Sequence, residues 1–402
     1  MFPPLVNPPH PASETAVPRS TLALGYVAGV LQGLAVVTLP ASASLLHEQL
    51  GLDDARYGAL FLAQTAAAIA GALGAGAIAR AARARAPLSA LLAFALAMHA
   101  VALASLDAAT VVAPMPACLL AAAALGLGFG VGAVPLNALP AAVAPARRAA
   151  ATVAMHAMVG GGFAIGPAIV GLALAHDRWS LAAGTLSLVT LATVIAVLRT
   201  RIPAPPAPPP STRSSSRHGL GTLGAIAVAY ALAEGTLSNW ITPFLHDGRG
   251  VDGPVAALAL SGFWAALAGG RLLASIALRR ISALRLWQAL LSLMALVLAA
   301  LPWVQGAASG IVAFVLAGLA TSAVFPLTVA LAGERLGLRP ETAASVLTAA
   351  LMTGVGVGSF VIGALREALG FDTLYRLGAL YPVLALALGR VGFARREPSP
   401  HR

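Results

Sequence analysis

One carboxylic acid, Glu234, lies well inside a long apolar run of this 402-residue chain. A charged carboxylate at a bilayer centre costs about 2.5 to 3.5 kcal/mol on insertion scales, so such an acid faces a protein interior or a wet path. There it acts as a proton acceptor, a solute anchor or half of a buried ion pair. Tyr230 and Ser238 stand four residues to either side of it, which puts all three on one helical face. Arg271 lies inside another apolar run beside Gly269 and Gly270. It can answer Glu234, bind an anionic solute, make a gating or packing contact, or snorkel to the surface. Asn239 and Trp240 follow the Glu234 stripe and are read as an outer closure, the indole stacking on solute or sitting in an interfacial belt. Asn137 and His156 fall near corresponding ends of adjoining runs, close enough to touch in an antiparallel pair, and a neutral imidazole there titrates near pH 6.5. His99 is expected to be structural.

The elements that position these groups follow from composition. With 59% hydrophobic and only 10% charged residues, the chain has too little polar surface for a water-soluble domain. The net charge of +11 sits in short clusters between apolar runs without interleaved aromatics, which argues for a lipid bilayer as partner and against nucleic acid. Cys118 is the single cysteine, so no disulfide framework or cysteine metal site can form within the chain. No Walker loop, paired carboxylates, metal-ligand spacing or Ser-His-Asp arrangement is visible. The expectation is a protein that is not an enzyme and needs no cofactor or metal.

Twelve stretches are long enough to cross a bilayer core, for which about 20 residues suffice. They run over 22–46, 57–79, 88–106, 112–139, 151–175 and 181–198, then 220–245, 255–278, 284–302, 310–332, 342–365 and 374–393. Arginine clusters alternate with the loops. Arg80, Arg83 and Arg85, then Arg147 and Arg148, Arg199 and Arg201, Arg279, Arg280 and Arg285, and Arg335 and Arg339 all fall on one side. The positive-inside rule makes that side cytoplasmic, with both termini, in a cell (inner) membrane. The expected organisation is a cytoplasmic tail over 1–20 without a signal-peptide core, a six-helix bundle over 21–199, a Pro/Ser/Arg linker over 200–218, a second bundle over 219–394 and a tail over 395–402.

The halves repeat each other. Asp54 matches Asp252, Ile78-Ala79 matches Ile276-Ala277, Val134-Pro135-Leu136 matches Phe325-Pro326-Leu327, and Gly166 and Gly171 match Gly358 and Gly363, all at offsets of about 195. By the same register Gln32-Gly33 stands where Glu234-Gly235 stands. Gln32 is therefore a second candidate solute ligand, or an interhelical amide. Glycines at 25, 29 and 33, and at 126, 128, 130 and 132, suit close helix approach.

Six plus six helices, a basic central linker and arginines after the second and eighth helices resemble the major facilitator superfamily over nearly the whole chain. The loop GAGAIARAARAR keeps the glycines and arginines of that superfamily's motif and lacks its Asp. Two stretches resemble the fucose-permease-like branch: GFGVGAVPLNALPAAVAPARRAAATVAMHAMVGGGFAIGP, and AEGTLSNWITPFL with GFWAALAGGR. At the place where relatives of that branch carry a helix-four acid stands Ala133. The run Gly162, Gly166, Pro167 and Gly171 resembles the glycine-proline motif of superfamily antiporters. The resemblance implies a cavity built from helices one, four, seven and ten, with Arg80 and Arg279 as structural or gating charges.

The expected fold is an all-α membrane protein of twelve transmembrane helices in two pseudo-symmetric bundles. The expected function is secondary active transport of a small solute by alternating access, coupled to protons, by a monomer. An efflux antiporter for a toxic small molecule and a non-transporting membrane sensor or assembly partner are the alternatives.

Overall fold

The computed structural model describes residues 19–81, 88–111, 114–144, 147–200, 202, 217–336 and 340–393. The expected terminal tails, most of the linker, and the arginines at 83, 85, 201 and 339 lie outside the described residues, as does the side chain of Arg80. The first block holds α1 (Arg19–Ala41), α2 (Asp54–Ala81), α3 (Leu88–Ala108), α4 (Pro114–Val143), α5 (Arg148–Ala175) and α6 (Trp179–Leu198). The second holds α7 (Arg217–Ser238), α8 (Ile241–Arg249), α9 (Gly253–Ala277), α10 (Ala283–Ala300), α11 (Gly306–Thr321), α12 (Val324–Leu336), α13 (Pro340–Gly378) and α14 (Leu380–Gly392).

Among the described residues eleven helical stretches are long and apolar enough to cross a membrane, one of them the 47-residue piece Val346–Gly392. That piece bends at Gly370, whose φ of 70° and ψ of 161° leave the helical region. Its length is about twice what a bilayer requires, and the bend divides it into two crossings. The twelve expected crossings are accounted for in this way. Large aliphatic side chains such as Leu172, Leu188, Leu272 and Leu296 are more than 60% exposed, as a lipid-facing surface requires.

Within each block the first helix lies on the fifth at a glycine. A Cβ on Gly33 would come within 2.9 Å of the Gly162 Cα, and one on Gly235 within 2.7 Å of the Val355 Cα. These are places where only a hydrogen side chain lets the two backbones approach. The glycine run of α5 is used in the same manner, with Gly162 and Gly166 against α1 and Gly171 against Pro254 and Ala257 of α9.

Two ends of the bundle differ. At the end away from Arg19 and Gly392, called the far end, a single apolar core joins Leu45, Leu46 and Tyr57 of the first block to Trp240, Phe244 and Phe371 of the second. Toward the near end the core separates. One cluster around Leu31, Leu96, Leu139 and Met155 belongs to the first block, and another around Leu223, Leu347 and Ala350 to the second. The blocks touch along α2 and α13 from Gly58 and Gly363 to Thr65 and Gly356, and along α5 and α9 to Gly160 and Ala268. Closer to the near end, Gly74 of α2 has nothing within 4 Å of its missing side chain. The molecule is shut at the far end and parted at the near end.

Candidate functional site

Two prolines shape the site. Proline has no N–H to give to the carbonyl four residues earlier, so it frees that oxygen. Pro243 frees the Asn239 carbonyl, and the chain breaks between α7 and α8 at Asn239 and Trp240. Pro326 frees the Ser322 carbonyl, and the chain breaks between α11 and α12 at Ser322 and Ala323. In a membrane such oxygens need protein partners. The Asn239 oxygen accepts from the Tyr57 hydroxyl at 3.0 Å, and the Ser322 oxygen accepts from the Arg271 Nε at 3.2 Å.

The second break gathers the charged site. Tyr230 of α7 reaches the adjacent Thr321 carbonyl at 3.5 Å and stands beside the Glu234 carboxyl, one helical turn along. The Arg271 charge acts on Glu234 and also on the His156 ring of the first block. Glu234 is half-buried, Tyr230 is buried, and Arg271 and His156 are exposed at the parted end. A carboxyl, a phenol, a guanidinium and an imidazole from both blocks therefore converge where the sealed half of the molecule meets the open half. Such a set can hold or pass a proton and can bind a group that both donates and accepts hydrogen bonds.

The remaining expected residues fall elsewhere. Gln32 is buried, and its Oε1 lies against Gly132 of α4, where a Cβ would meet it. Asn137 is exposed and donates to the Ala133 carbonyl of its own helix at 2.7 Å. Among the described residues no hydrogen bond links Asn137 to His156, which were expected to lie within touching distance; the amide is satisfied one turn back. Ser238 is buried, and Arg279 is exposed at the near end of α9. His99 is fully buried between α3 and α4.

Asn239 and Trp240 belong to the far-end closure. The Asn239 Nδ2 donates to the Ser359 hydroxyl at 2.8 Å, and the Trp240 Nε1 donates to the Ser359 carbonyl at 3.0 Å. The indole is 0% exposed and meets Tyr57 and Phe371 at centroid distances of 5.0 and 6.0 Å. In this conformation no indole face is free for a solute, since the aromatic plug occupies it.

Sequence reasoning missed the plug's partners and the charges above it. Tyr57 and Ser359 look like ordinary members of apolar runs. Arg366 pairs with Asp54 across the blocks, and Arg249 pairs with Asp372 while donating to the carbonyls of Val304, Pro302 and Gly248. Above the plug, His47 meets Asp247 and His246 meets Glu48. The repeat could have found these groups. LHEQLGLDD over 46–54 and LHDGRGVDG over 245–253 are related at an offset of about 199, and Gly51 and Gly250 both take a left-handed φ, 63° and 65°. That register pairs Asp252, which precedes α9, with Asp53, whose Oδ1 accepts from the Arg56 N–H at the start of α2. Asp54 is thereby left to meet Arg366.

Comparison with known proteins agrees with this architecture. An uncharacterized transporter, y4wD, of Sinorhizobium fredii (strain NBRC 101917 / NGR234) is 30% identical over 179 residues, 43% of this chain. The match spans 46% of that relative's length. The crystal structure of a bacterial homolog to human lysosomal transporter Spinster, in an inward-facing and unoccupied conformation, superposes with a TM-score of 0.72 at 17% identity, covering 96% of this chain and 100% of that one. The nucleoside transporter NupG (D323A mutant) gives a TM-score of 0.70 at 18% identity, covering 93% and 99%. The model of the Major Facilitator Superfamily matches residues 25–361. That match, over most of the chain, makes the chain a member of the Major Facilitator Superfamily, a multi-pass membrane transporter and not an enzyme.

Proposed function

We propose that this transporter is a proton-coupled carrier of a small polar solute, working as a monomer in the inner membrane with its near end and both termini toward the cytoplasm. The observation that carries the reading is the convergence of Glu234, Tyr230 and Arg271 on the broken tenth crossing. The first block carries Gln32 and Leu73 where the second carries Glu234 and Arg271, so the titratable pair sits on one side of the pseudo-symmetry. That asymmetry suits a division of labour in which the second block binds the proton and Gln32 helps to bind the solute.

In this scheme the unprotonated Glu234 keeps Arg271 as its counter-charge. Protonation releases the guanidinium toward an acceptor group of the solute, and the neutral carboxyl can then cross the closed state at low cost. Solute and proton reach the site when the far end opens, and leave by the near end after the plug of Tyr57, Trp240 and Phe371 forms. A small neutral or weakly acidic solute fits a site with few charges.

A thermal-shift screen of the purified protein against a metabolite panel identifies a solute. Its uptake into proteoliposomes is then compared with and without an inside-alkaline gradient. Gradient-driven accumulation supports the proposal; accumulation indifferent to the gradient removes proton coupling. Extrusion driven by an inward proton gradient would instead favour the efflux antiporter, and binding without flux the sensor.

A further inference from the structure

The two repeat-related dipeptides His47-Glu48 and His246-Asp247 are crossed at the far end. The His47 Nδ1 meets the Asp247 Oδ2 at 2.8 Å, and the His246 Nε2 meets the Glu48 Oε1. Each block thus contributes one imidazole and one carboxylate, and each imidazole binds the carboxylate of the other block. We propose that this crossed pair is a proton-operated latch: protonated His246, held by Glu48 beside the His47–Asp247 contact, keeps the far-end mouth shut, and loss of its proton releases it. The proposal concerns the gate and does not depend on Glu234 being the coupling group.

The geometry of His246 carries most of the weight. Its Nδ1 lies 2.8 Å from the Val251 carbonyl oxygen, which can only accept, while its Nε2 faces the Glu48 carboxylate. A neutral imidazole has one N–H and can satisfy one of these; an imidazolium satisfies both. Burial works against the charged ring, but the Glu48 carboxylate, the Val251 carbonyl and Asp247 outweigh it and raise its pKa above the ordinary value.

His47 differs, since among the described residues its Nε2 is buried without a hydrogen-bond partner and only its Nδ1 meets an acceptor. Asp247 faces it from α8, a carboxylate oxygen of Asp54 lies within 4.8 Å of the same group, and the Tyr57 ring is edge-on at 4.9 Å. Farther along the same recess of about 1000 Å³ stand Asp53, with Arg56 as its partner, and Glu367. The two arginines that line the recess are engaged, Arg366 by Asp54 and Arg249 by Asp372. Acids outnumber arginines around the mouth, which favours a protonated His246. Opening parts the blocks and takes from His246 the Glu48 carboxylate that stabilises its charge. The closed form therefore binds protons more tightly, and closure is favoured below the ordinary histidine pKa and lost as pH rises through the raised one. If the far end faces outside, an acidic exterior drives the step that closes the gate behind a solute.

Spin labels at Gln49 and Ala368, both exposed at the far end and on opposite blocks, report the width of the mouth in nanodiscs in a Cys118→Ala background. Between about pH 5 and 8.5, the range over which imidazoles titrate, the short-distance population should fall steadily. In His47→Gln/His246→Gln it should be small and flat. Glu48 is 60% exposed, so Glu48→Gln leaves folding intact and should by itself shrink the pH response. A mouth that does not respond to pH, or a response of wild-type size in Glu48→Gln and in the double variant, overturns the latch.

Discussion

The Tyr57 hydroxyl of the first block donates to the Asn239 carbonyl of the second at 3.0 Å, filling the place that Pro243 leaves without a helical donor. One hydrogen bond thus repairs a break in one block with a residue of the other, and exists only while the far end is shut. Tyr57→Phe leaves a buried carbonyl unpaired, at a cost of about 1–3 kcal/mol to the closed form. The expected outcome is a wider far-end mouth at equilibrium, measured by the spin-label distance, with the near-end helices unchanged.

Close approach of α1 to α5 depends on Gly33, and that of α7 to α13 on Gly235. Gly33→Leu forces a side chain into a backbone, and overpacking of this kind typically costs about 1–3 kcal/mol, occasionally more. Loss of the monodisperse purified protein, or a much lower melting temperature, is expected. Gly74→Leu places the same side chain in open space and should be harmless.

Arg249 clamps α8 to the segment 301–304 through the carbonyls of Pro302 and Val304 and to α13 through Asp372, while resting on the Gly248 carbonyl and the Phe244 face of its own helix at 4.6 Å. Its side chain is 12% exposed. Arg249→Ala should lower stability by at least one charge-assisted hydrogen bond, about 1.5–3 kcal/mol. Arg249→Lys should restore little, since an ammonium lacks the planar fork that reaches several acceptors at once. Thermal unfolding of the three proteins in detergent checks the order.

Much of this was legible in the sequence, because lipid imposes length and apolarity on each crossing and the repeat fixed how crossings correspond. Glu234, Tyr230 and Arg271 were legible as lone polar groups at a depth where polarity is costly. Pairings between crossings were not. Asn137 and His156 looked like partners by depth alone, yet the amide turned to its own helix. Trp240 looked like a solute platform, yet Ser359 and Tyr57 enclose it. Rotation of each helix about its axis decides such matters, and it depends on glycine contacts that can be counted in a sequence but not assigned to partners. The crossed histidines stand just past the ends of the expected crossings 22–46 and 220–245, in short helical turns that hydropathy alone does not single out.

His246 has its pKa raised in the fold, so the stability it contributes is fully present below the ordinary histidine value and disappears as pH rises through the raised one. The melting temperature should therefore decline from about pH 6 to about pH 8, across the imidazole range. In His246→Gln the decline should be shallower and the melting temperature at the acid end lower. Equal pH dependence in the two proteins would show that the ring is not the titrating group.

Proton coupling through Glu234 is tested most directly by two fluxes measured on one variant. In Glu234→Gln proteoliposomes the screened solute should still exchange by counterflow, because the path and the rocking of the blocks persist. Accumulation driven by an inside-alkaline gradient should be lost. Gradient-driven accumulation at the wild-type level in Glu234→Gln would contradict the account.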